Sequence, residues 1–304
     1  MHTMEMGHTD KNVKATVYDN SLGWLKHALI SCPAKGFKFT EGPVWHPEHF
    51  FLFSDTPANR IYKLTTTGIL SVFLENSGLH HSAVDDLSDQ VGSNGLAFDK
   101  SNNLLICQHG DHAIALLNKR KELEVLVSMY KGRPFNSPND IIARSDGTIF
   151  FTDPPYGLSA QVLNVEKFQP RAGIYKYDFN KLELVGEELK YPNGLFFSAD
   201  EKTLFVSSNH PDEKYILKYK SFSDGSIDYE GVFLDENADG MTTDKADNIY
   251  LATNEGILIV STKGKRLGFI VLDETPSNLV WGGTDNEILF VTARSAVYFI
   301  TKQP

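Results

Sequence analysis

The chain has 304 residues, of which 41% are hydrophobic and 22% charged, and its formal net charge is −10. This composition is typical of a globular protein with a full hydrophobic core. The negative charge argues against nucleic acid or an anionic membrane surface as a partner, because phosphates are bound by clusters of Lys and Arg. No run of 18 uncharged apolar residues occurs, so the sequence predicts no membrane-spanning helix.

The N-terminal segment and the cysteines bear on the compartment. The first twenty residues are polar and lack the apolar core of a secretory signal peptide, so we expect a cytoplasmic protein, or a periplasmic one if a leader has been removed. Cys32 and Cys107 match neither a disulfide framework nor a zinc-binding spacing, and we interpret them as buried thiols in a reducing compartment. We predict an N-terminal extension at 1–20 and a single domain at 21–304. No pattern indicates an oligomeric state.

A short polar corner precedes an apolar strand six times along the chain. In order, the corners are EGPVW at Glu41, SNGLAFD at Asn94, PNDII at Asn139, PNGLFF at Asn193, ADGMTTD at Asp239 and SNLVW at Asn278. They recur at intervals of 39 to 54 residues. Most are followed by a turn such as SDG, a second apolar strand such as TIFFTD, and a third strand with alternating aromatic residues such as GIYKYD. Six copies of this unit predict an all-β fold, a six-bladed β-propeller.

The last repeat is one strand short. After EILFVTA and AVYFI the chain ends, whereas the apolar segment WLKHALIS at 24–31 has no repeat of its own. We therefore expect residues 24–31 to form the outermost strand of the sixth blade, because this arrangement joins the two ends of the chain and removes an open sheet edge.

The six corners indicate a ligand site. The first strand of each propeller blade lines the central channel, so polar residues just before these strands converge on one axis. Asx-turns would explain a single corner, but they do not explain Glu41 at the same repeat position. Two carboxylates with amide oxygens are hard ligands that favour Ca²⁺, with Mg²⁺ or Mn²⁺ next. Zn²⁺ and Fe²⁺ stay as alternatives, although a tetrahedral zinc site is disfavoured. The sequence therefore predicts a central-channel metal site.

The ordered motifs FTEGPVWHPEHFFLFSD, SNGLAFD, SPNDIIARSDGTIFFTDPPYG, YPNGLFFSADEKTLFVSS and ETPSNLVWGG resemble the SMP-30/gluconolactonase/LRE-like family, and in particular its bacterial gluconolactonase branch. The resemblance runs from about Leu22 to Tyr298. It implies a six-bladed propeller that holds one divalent cation, commonly Ca²⁺, and an enzyme that opens sugar lactones.

The resemblance also implies roles for individual residues. Metal ligands fall on Glu41, Asn193 and Asp239, and Asn139 is expected beside the metal, as a further ligand and in contact with substrate. His109 of QHGD and Tyr156 of DPPYG match substrate-binding residues at the channel mouth, where a neutral imidazole could donate a hydrogen bond or relay protons. The animal branch carries Arg where this chain has Ser137, and nearby Arg133 is the candidate to replace it in substrate binding.

The expected activity is metal-dependent hydrolysis of a lactone by water. Asp239 is the preferred general base because a short carboxylate can hold a metal with one oxygen and water with the other, and Glu41 is the alternative. Two other functions stay open, which are hydrolysis of an organophosphate at the same site and a non-enzymatic calcium-binding or partner-docking role.

Overall fold

The predicted propeller is confirmed. A computed structural model describes residues 5–6, 10–80, 88–159, 167–179 and 181–303, and these residues form six antiparallel blades arranged in a ring. Each blade is hydrogen-bonded in the order of its strands, from the inner strand outward. None of the helices in the described part of the chain has the length and apolar character needed to span a bilayer.

The first four blades are each continuous in sequence. Blade 1 contains Thr40–His46, Phe50–Asp55, Arg60–Thr65 and Leu70–Glu75. Blade 2 contains Ser93–Phe98, Leu104–Gln108, Ala113–Leu117 and Leu123–Val127. Blade 3 contains Ile141–Ala143, Ile149–Thr152, Ile174–Tyr177 and Leu182–Gly186. Blade 4 contains Pro192–Phe197, Thr203–Ser208, Ile216–Ser221 and Ile227–Leu234. A small hairpin, Met129–Tyr130 with Arg133–Pro134, lies between blades 2 and 3.

The last two blades include N-terminal strands. Blade 5 contains Met241–Thr243, Ile249–Thr253, Gly256–Val260 and Arg266–Val271, with Lys14–Val17 as a fifth strand. Blade 6 contains Asn278–Gly282, Ile288–Ala293, Ala296–Thr301 and Leu29–Lys35. The two-residue strands Glu5–Met6 and Lys11–Asn12 pair with its outer edge. The described residues also include two 3₁₀ helices, Asn20–Lys26 and Thr56–Ala58.

The closure of blade 6 by an N-terminal strand is confirmed, but the predicted bounds were wrong. The strand begins at Leu29 rather than at residue 24, and it pairs with Ala296–Thr301. Residues 20–26 form a 3₁₀ helix instead, which starts where the Asp19 carboxylate accepts a hydrogen bond from Ser21 N at 3.1 Å. Leu22 and Leu25 of this helix are buried in the core between blades 5 and 6. The apolar residues of this segment therefore pack into the core from a helix and do not belong to a strand.

The core is divided into six main clusters, one at each interface between adjacent blades. Successive residues of a strand point to opposite faces. Phe50 and Leu52 thus pack against blade 2, whereas Phe51 and Phe53 pack against blade 6. Because both faces of a blade are covered, the strands have continuous apolar stretches such as FFLF and not an alternating pattern. Cys107 lies in one of these clusters, whereas Cys32 is only partly buried, so the predicted burial was wrong for Cys32; both are free cysteines.

Truncation should separate the closing strand from the segments outside it. Among the described residues, deleting 1–12 removes two pairings of two residues each, so we expect the midpoint of thermal unfolding to stay within about 3 °C of the full chain. Deleting residues 1–35 removes the closing strand together with buried Leu22 and Leu25, and we expect no cooperative transition. Circular dichroism melting curves of both variants check this expectation. A cooperative transition in the longer deletion at the midpoint of the full chain would contradict it.

Candidate functional site at the channel mouth

The six corner residues lie together at one end of the central channel. Glu41, Asn94, Asn139, Asn193 and Asn278 are buried, and Asp239 is partly exposed. Each stands at or immediately before the innermost strand of its blade. The convergence that the repeat predicts is therefore present, and it comes directly from placing the same corner in six successive blades.

Buried carboxylates hold two of these corners in place. Asp153, which directly follows the second strand of blade 3, accepts hydrogen bonds from Asn136 N at 2.9 Å and Ser137 N at 2.8 Å, just before Asn139. Asp55 of blade 1 accepts bonds from Lys38 N and Phe39 N, both at 3.1 Å. A backbone N–H that is removed from water must be paired, so these carboxylates supply acceptors to amides that precede the corners and lack strand partners.

Glycine follows the polar residue in four of the six corners because adjacent corners approach closely. A Cβ on Gly194 would lie 2.4 Å from the carbonyl oxygen of Asp239, and one on Gly95 would lie 2.6 Å from that of Asn139. The glycine amides donate to these same carbonyls, at 2.9 Å for Gly194 and 2.7 Å for Gly95. The glycines therefore allow one corner to be hydrogen-bonded directly to the next.

Substituting Gly194 with Ala should test this packing. The added methyl group must displace the Asp239 backbone, so we expect a loss of about 1–3 kcal/mol in the free energy of unfolding and a lower turnover rate. Gly23→Ala is the matched control, because nothing lies within 4 Å of a Cβ built there. Urea denaturation of both variants measures the difference. Equal midpoints for the two variants would mean that the close approach does not constrain the site.

The corner side chains form a hydrogen-bonded network. Asn94 Nδ2 donates to Asn139 Oδ1 at 2.9 Å, and Asn139 Nδ2 donates to Asn193 Oδ1 at 2.7 Å. Asn193 Nδ2 then donates to Asp239 Oδ1 at 2.7 Å. On the other side, Asn278 Nδ2 donates to Glu41 Oε2 at 3.4 Å, and this oxygen also accepts from Gly42 N at 3.0 Å. One set of hydrogen bonds thus joins the predicted residues Asn139, Asn193 and Asp239 and adds Asn94, which the sequence placed only as a corner, and a second set joins Glu41 to Asn278.

The six corner residues surround the channel axis as a ring, and burial strongly shifts the pKa values of its two carboxylates, Glu41 and Asp239. Burial raises the pKa of Glu41 well above its ordinary value, and the neighbouring charge of Asp239 raises it further. Burial also raises the pKa of Asp239 from 3.8 to about 6, although Arg294 and the hydrogen bond from Asn193 oppose this rise. Asp140, beside Asn139, has its pKa raised by burial to about 7. Two carboxylates whose charges interact in a poorly solvated site are costly to ionise together without a cation.

His109 is buried beside Asn139 with a defined tautomer. Its Nδ1 lies 3.0 Å from the carbonyl oxygen of Gln90, which can only accept, so Nδ1 carries the proton of the neutral ring. Burial lowers the pKa of His109 to about 4, so the ring is neutral at pH 7. The Asn139 side chain lies near enough to oppose this fall in pKa, but no hydrogen bond of ordinary geometry reaches the buried Nε2 from the described residues. The free nitrogen can therefore accept a hydrogen bond from a ligand, whereas the sequence had suggested a donor.

Tyr156 lies at the ring, and Arg133 lies elsewhere. The Tyr156 hydroxyl accepts a hydrogen bond from Asn193 Nδ2 at 3.4 Å, and burial together with the charge of Asp239 raises its pKa. Ser137 Oγ donates to Pro154 O at 2.6 Å and accepts from Gly157 N at 2.8 Å, so it holds the loop that carries Tyr156. Arg133 belongs to the hairpin between blades 2 and 3, and it lines a cavity that includes none of the six corner residues.

A six-bladed propeller with a ring of carboxylates and amides at its channel mouth defines the class of protein. The chain belongs to the SMP-30/Gluconolactonase/LRE-like family, whose model matches residues 39–295. It is 31% identical over 279 residues to a gluconolactonase of Zymomonas mobilis subsp. mobilis, a match that covers 87% of this chain and 78% of that protein. The family resemblance that the motifs indicated is confirmed.

Solved structures have the same fold. A gluconolactonase from Xanthomonas campestris superposes with a TM-score of 0.81 at 24% identity, covering 98% of this chain and 99% of that one. Regucalcin from Agrobacterium tumefaciens, described as a calcium-binding protein, superposes with a TM-score of 0.67 at 17% identity, covering 88% and 92%. At these identities the likeness concerns the propeller alone.

Proposed function

We propose that the protein is a gluconolactonase-like hydrolase that opens a sugar lactone to the hydroxy acid. The observation that carries this proposal is the convergence of Asn139, Asn193 and Asp239, which are hydrogen-bonded in series, with buried Glu41, whose pKa is raised by the charge of Asp239. The chain is also 31% identical to a gluconolactonase over most of its length. A docking propeller would not need buried carboxylates that converge on its axis.

The ring fits a divalent cation. Among the described residues, no three His, Cys, Asp or Glu side chains form a metal-binding group, so the donors are two carboxylates supplemented by amide oxygens. Desolvation raises the pKa of both Glu41 and Asp239, and the charge of Asp239 raises that of Glu41 further; a cation beside these carboxylates would relieve this cost. Oxygen donors favour Ca²⁺. We propose that Glu41, Asn193 and Asp239 hold the ion, with Asn139 beside them.

The side chains of the ring can then divide the chemistry. When bound, the cation polarises the lactone carbonyl. The hydrogen bond from Asn193 is made to Asp239 Oδ1, so Oδ2 is the oxygen that takes the proton of the attacking water. The water oxygen bonds to the carbonyl carbon, the ester C–O bond breaks, and the proton held by Asp239 passes to the leaving alkoxide. Asn139 and Tyr156 orient the substrate, and His109 Nε2 accepts a hydrogen bond from one of its hydroxyl groups.

Acid release tests the proposed function. The protein is stripped of metal with a chelator and assayed on D-glucono-1,5-lactone and, in parallel, on paraoxon, each with Ca²⁺, Mg²⁺, Mn²⁺, Zn²⁺ or Fe²⁺ added. We expect lactone opening that depends on the added cation, above the spontaneous rate measured with Asp239→Ala. Turnover of paraoxon alone would indicate an organophosphate hydrolase, and turnover of neither substrate with any cation would contradict an enzymatic role for the ring.

A further inference from the structure

Three aromatic side chains form a row that leads outward from the ring. Tyr156 lies at the ring itself, in contact with Asn193. The ring of Tyr191 stands edge-on to Tyr156 with the centroids 5.6 Å apart, and the ring of His210 stands edge-on to Tyr191 at 4.9 Å. All three side chains are partly exposed. The row therefore presents aromatic surface to a molecule that enters the channel mouth between blades 3 and 4.

Tyr191 also borders a cavity of about 610 Å³ outside the ring. Its other lining includes Pro155 and Leu158, which belong to the loop that carries Tyr156, and Phe168 from the same blade. The volume lies in the range of about 300–1,000 Å³ that is usual for small-molecule sites. Tyr191 therefore contacts Tyr156, which lies beside the corner residues, and it also lines this cavity.

The charged groups around this cavity are nearly balanced, with Arg171 and Lys190 against Glu187, Glu188 and Glu213. Arg171 Nη1 lies 3.6 Å from Glu187 Oε1, Lys190 Nζ lies 4.0 Å from Glu213 Oε1, and Glu188 Oε2 accepts a hydrogen bond from the Tyr219 hydroxyl at 2.8 Å. These groups still offer donors and acceptors to a ligand, and the slight excess of acidic side chains disfavours an anion. Hydrogen-bonding groups beside an aromatic wall suit a neutral ligand with hydroxyl groups and an apolar C–H face. A sugar ring has this chemistry.

His210 adds a defined hydrogen-bond donor to the row. Its Nδ1 accepts from Asp212 N at 3.1 Å, so the neutral imidazole carries its proton on Nε2. The Asp212 carboxylate is 4.0 Å from Nδ1, and its side chain is 80% exposed. No other hydrogen bond of the imidazole is present in the described part of the chain. The Nε2–H group is therefore free to bond to a hydroxyl oxygen of a ligand.

We propose that Tyr191, with His210 beside it, determines the specificity of the site by binding the hydroxyl-bearing part of the lactone. The ester carbonyl then lies at the ring of corner residues, and the hydroxymethyl-bearing end of the sugar, which an unsubstituted lactone lacks, packs on the Tyr191 side chain. This inference rests on the proposed lactone hydrolysis. It predicts that the protein discriminates between lactones by their hydroxyl groups, through residues that take no part in the bond-breaking step.

Steady-state kinetics on two substrates test the inference. Tyr191→Ala should raise KM for D-glucono-1,5-lactone about tenfold with little change in kcat, because the lost contact serves binding. The same variant should open δ-valerolactone, which has no hydroxyl groups, at the wild-type kcat/KM. Tyr191→Phe keeps the aromatic surface and is the matched control, expected within about threefold of wild type on both substrates. His210→Phe keeps a ring but loses the donor, and should raise KM for the hydroxylated lactone alone.

The outcomes separate a specificity role from a structural one. If Tyr191→Ala loses activity equally on both lactones, or loses none on either, the inference is wrong. Retained turnover of δ-valerolactone shows that the variant is folded. If Tyr191→Ala does not fold, the His210→Phe result decides, and an equal effect of this variant on both substrates overturns the proposal.

A binding measurement keeps the inference independent of the proposed function. The probe is 1,5-anhydro-D-glucitol, which has the sugar hydroxyls but no carbonyl to hydrolyse. Calorimetry should show that it binds the wild type and Tyr191→Phe alike and that Tyr191→Ala weakens binding about tenfold. Failure of the wild type to open any lactone would reject the proposed function, whereas equal binding of the probe to all three proteins would reject the role of Tyr191.

Discussion

Replacing Asp239 with Asn is expected to lower kcat for lactone opening by about 10²–10⁴-fold. The amide has the size of the carboxylate and keeps one oxygen that can bind metal, but it cannot take a proton from water. Asn193 Nδ2, which now donates to Asp239 Oδ1 at 2.7 Å, can still donate to the amide oxygen, so the ring should keep its shape. The rate is measured by acid release and normalised to the metal content of each preparation.

The control for this prediction is Asp235→Asn, the same substitution at an exposed position four residues earlier. We expect this variant to match the wild type in rate and in metal content. A metal-loaded Asp239→Asn enzyme with full activity would remove Asp239 as the base and transfer the role to Glu41 or His109. Loss of all metal from the variant would instead identify Asp239 chiefly as a ligand. If excess cation then restores kcat, Asp239 acts only as a ligand, whereas a low kcat in the reloaded variant indicates that it is also the base.

Chelation of the metal should make the stability of the protein fall as pH rises from about 4 to about 8. Burial raises the pKa of Asp239 to about 6 and that of Glu41 well above its ordinary value. The folded state therefore binds more protons than the unfolded chain in this range, and the stability present at low pH is lost as these groups ionise. A cation competes with these protons, so calcium should raise the unfolding midpoint by about 5 °C at pH 8 and by much less at pH 5.

Glu41→Gln tests whether the effect comes from this pair. The variant keeps the shape of the side chain but has no charge to ionise, so the chelated protein should lose less stability with rising pH than the wild type does. Its calcium-dependent increase at pH 8 should be largely abolished. Melting curves by circular dichroism, with and without calcium at both pH values, provide the four measurements. A calcium effect that is the same at pH 5 and pH 8, or unchanged in Glu41→Gln, would place the bound cation elsewhere.

The fold could be predicted because its dominant signal is local and repeated. Each corner stands directly before an apolar strand, so both the number of blades and the convergence of Glu41, Asn139, Asn193 and Asp239 follow from the repeat alone. The 3₁₀ helix at Asn20–Lys26 could not be predicted, because the apolar residues of WLKHALIS suit either a buried turn of helix or a strand. Contacts with blades 5 and 6 decide between the helix and the strand, and the local sequence does not reveal those contacts.

The site was predicted less completely than the fold. Asn94 was placed as a corner, but its bond to Asn139 depends on which way each amide points. Tyr191 was missed, although its position two residues before Asn193 in YPNG is a signal that the repeat could have provided. Arg133 was selected for its closeness in sequence to the SPND corner, whereas the hairpin at residues 129–134 places it in a different cavity. Loop side chains are positioned by tertiary contacts, which a repeat does not encode.

The strand that closes blade 6 has a consequence for the synthesis of the protein. Leu29–Lys35 leaves the ribosome long before its partner Ala296–Thr301. At a translation rate of about 5–20 residues per second, the strand has no partner for roughly 15–50 s, and its backbone hydrogen-bonding groups stay unpaired on that edge. Glu41 comes from blade 1, and its neighbours Asn278 and Asp239 come from blades 6 and 5, so the ring spans this seam. A chain still being translated thus lacks part of the proposed metal site, and we expect activity to appear only after blade 6 has closed.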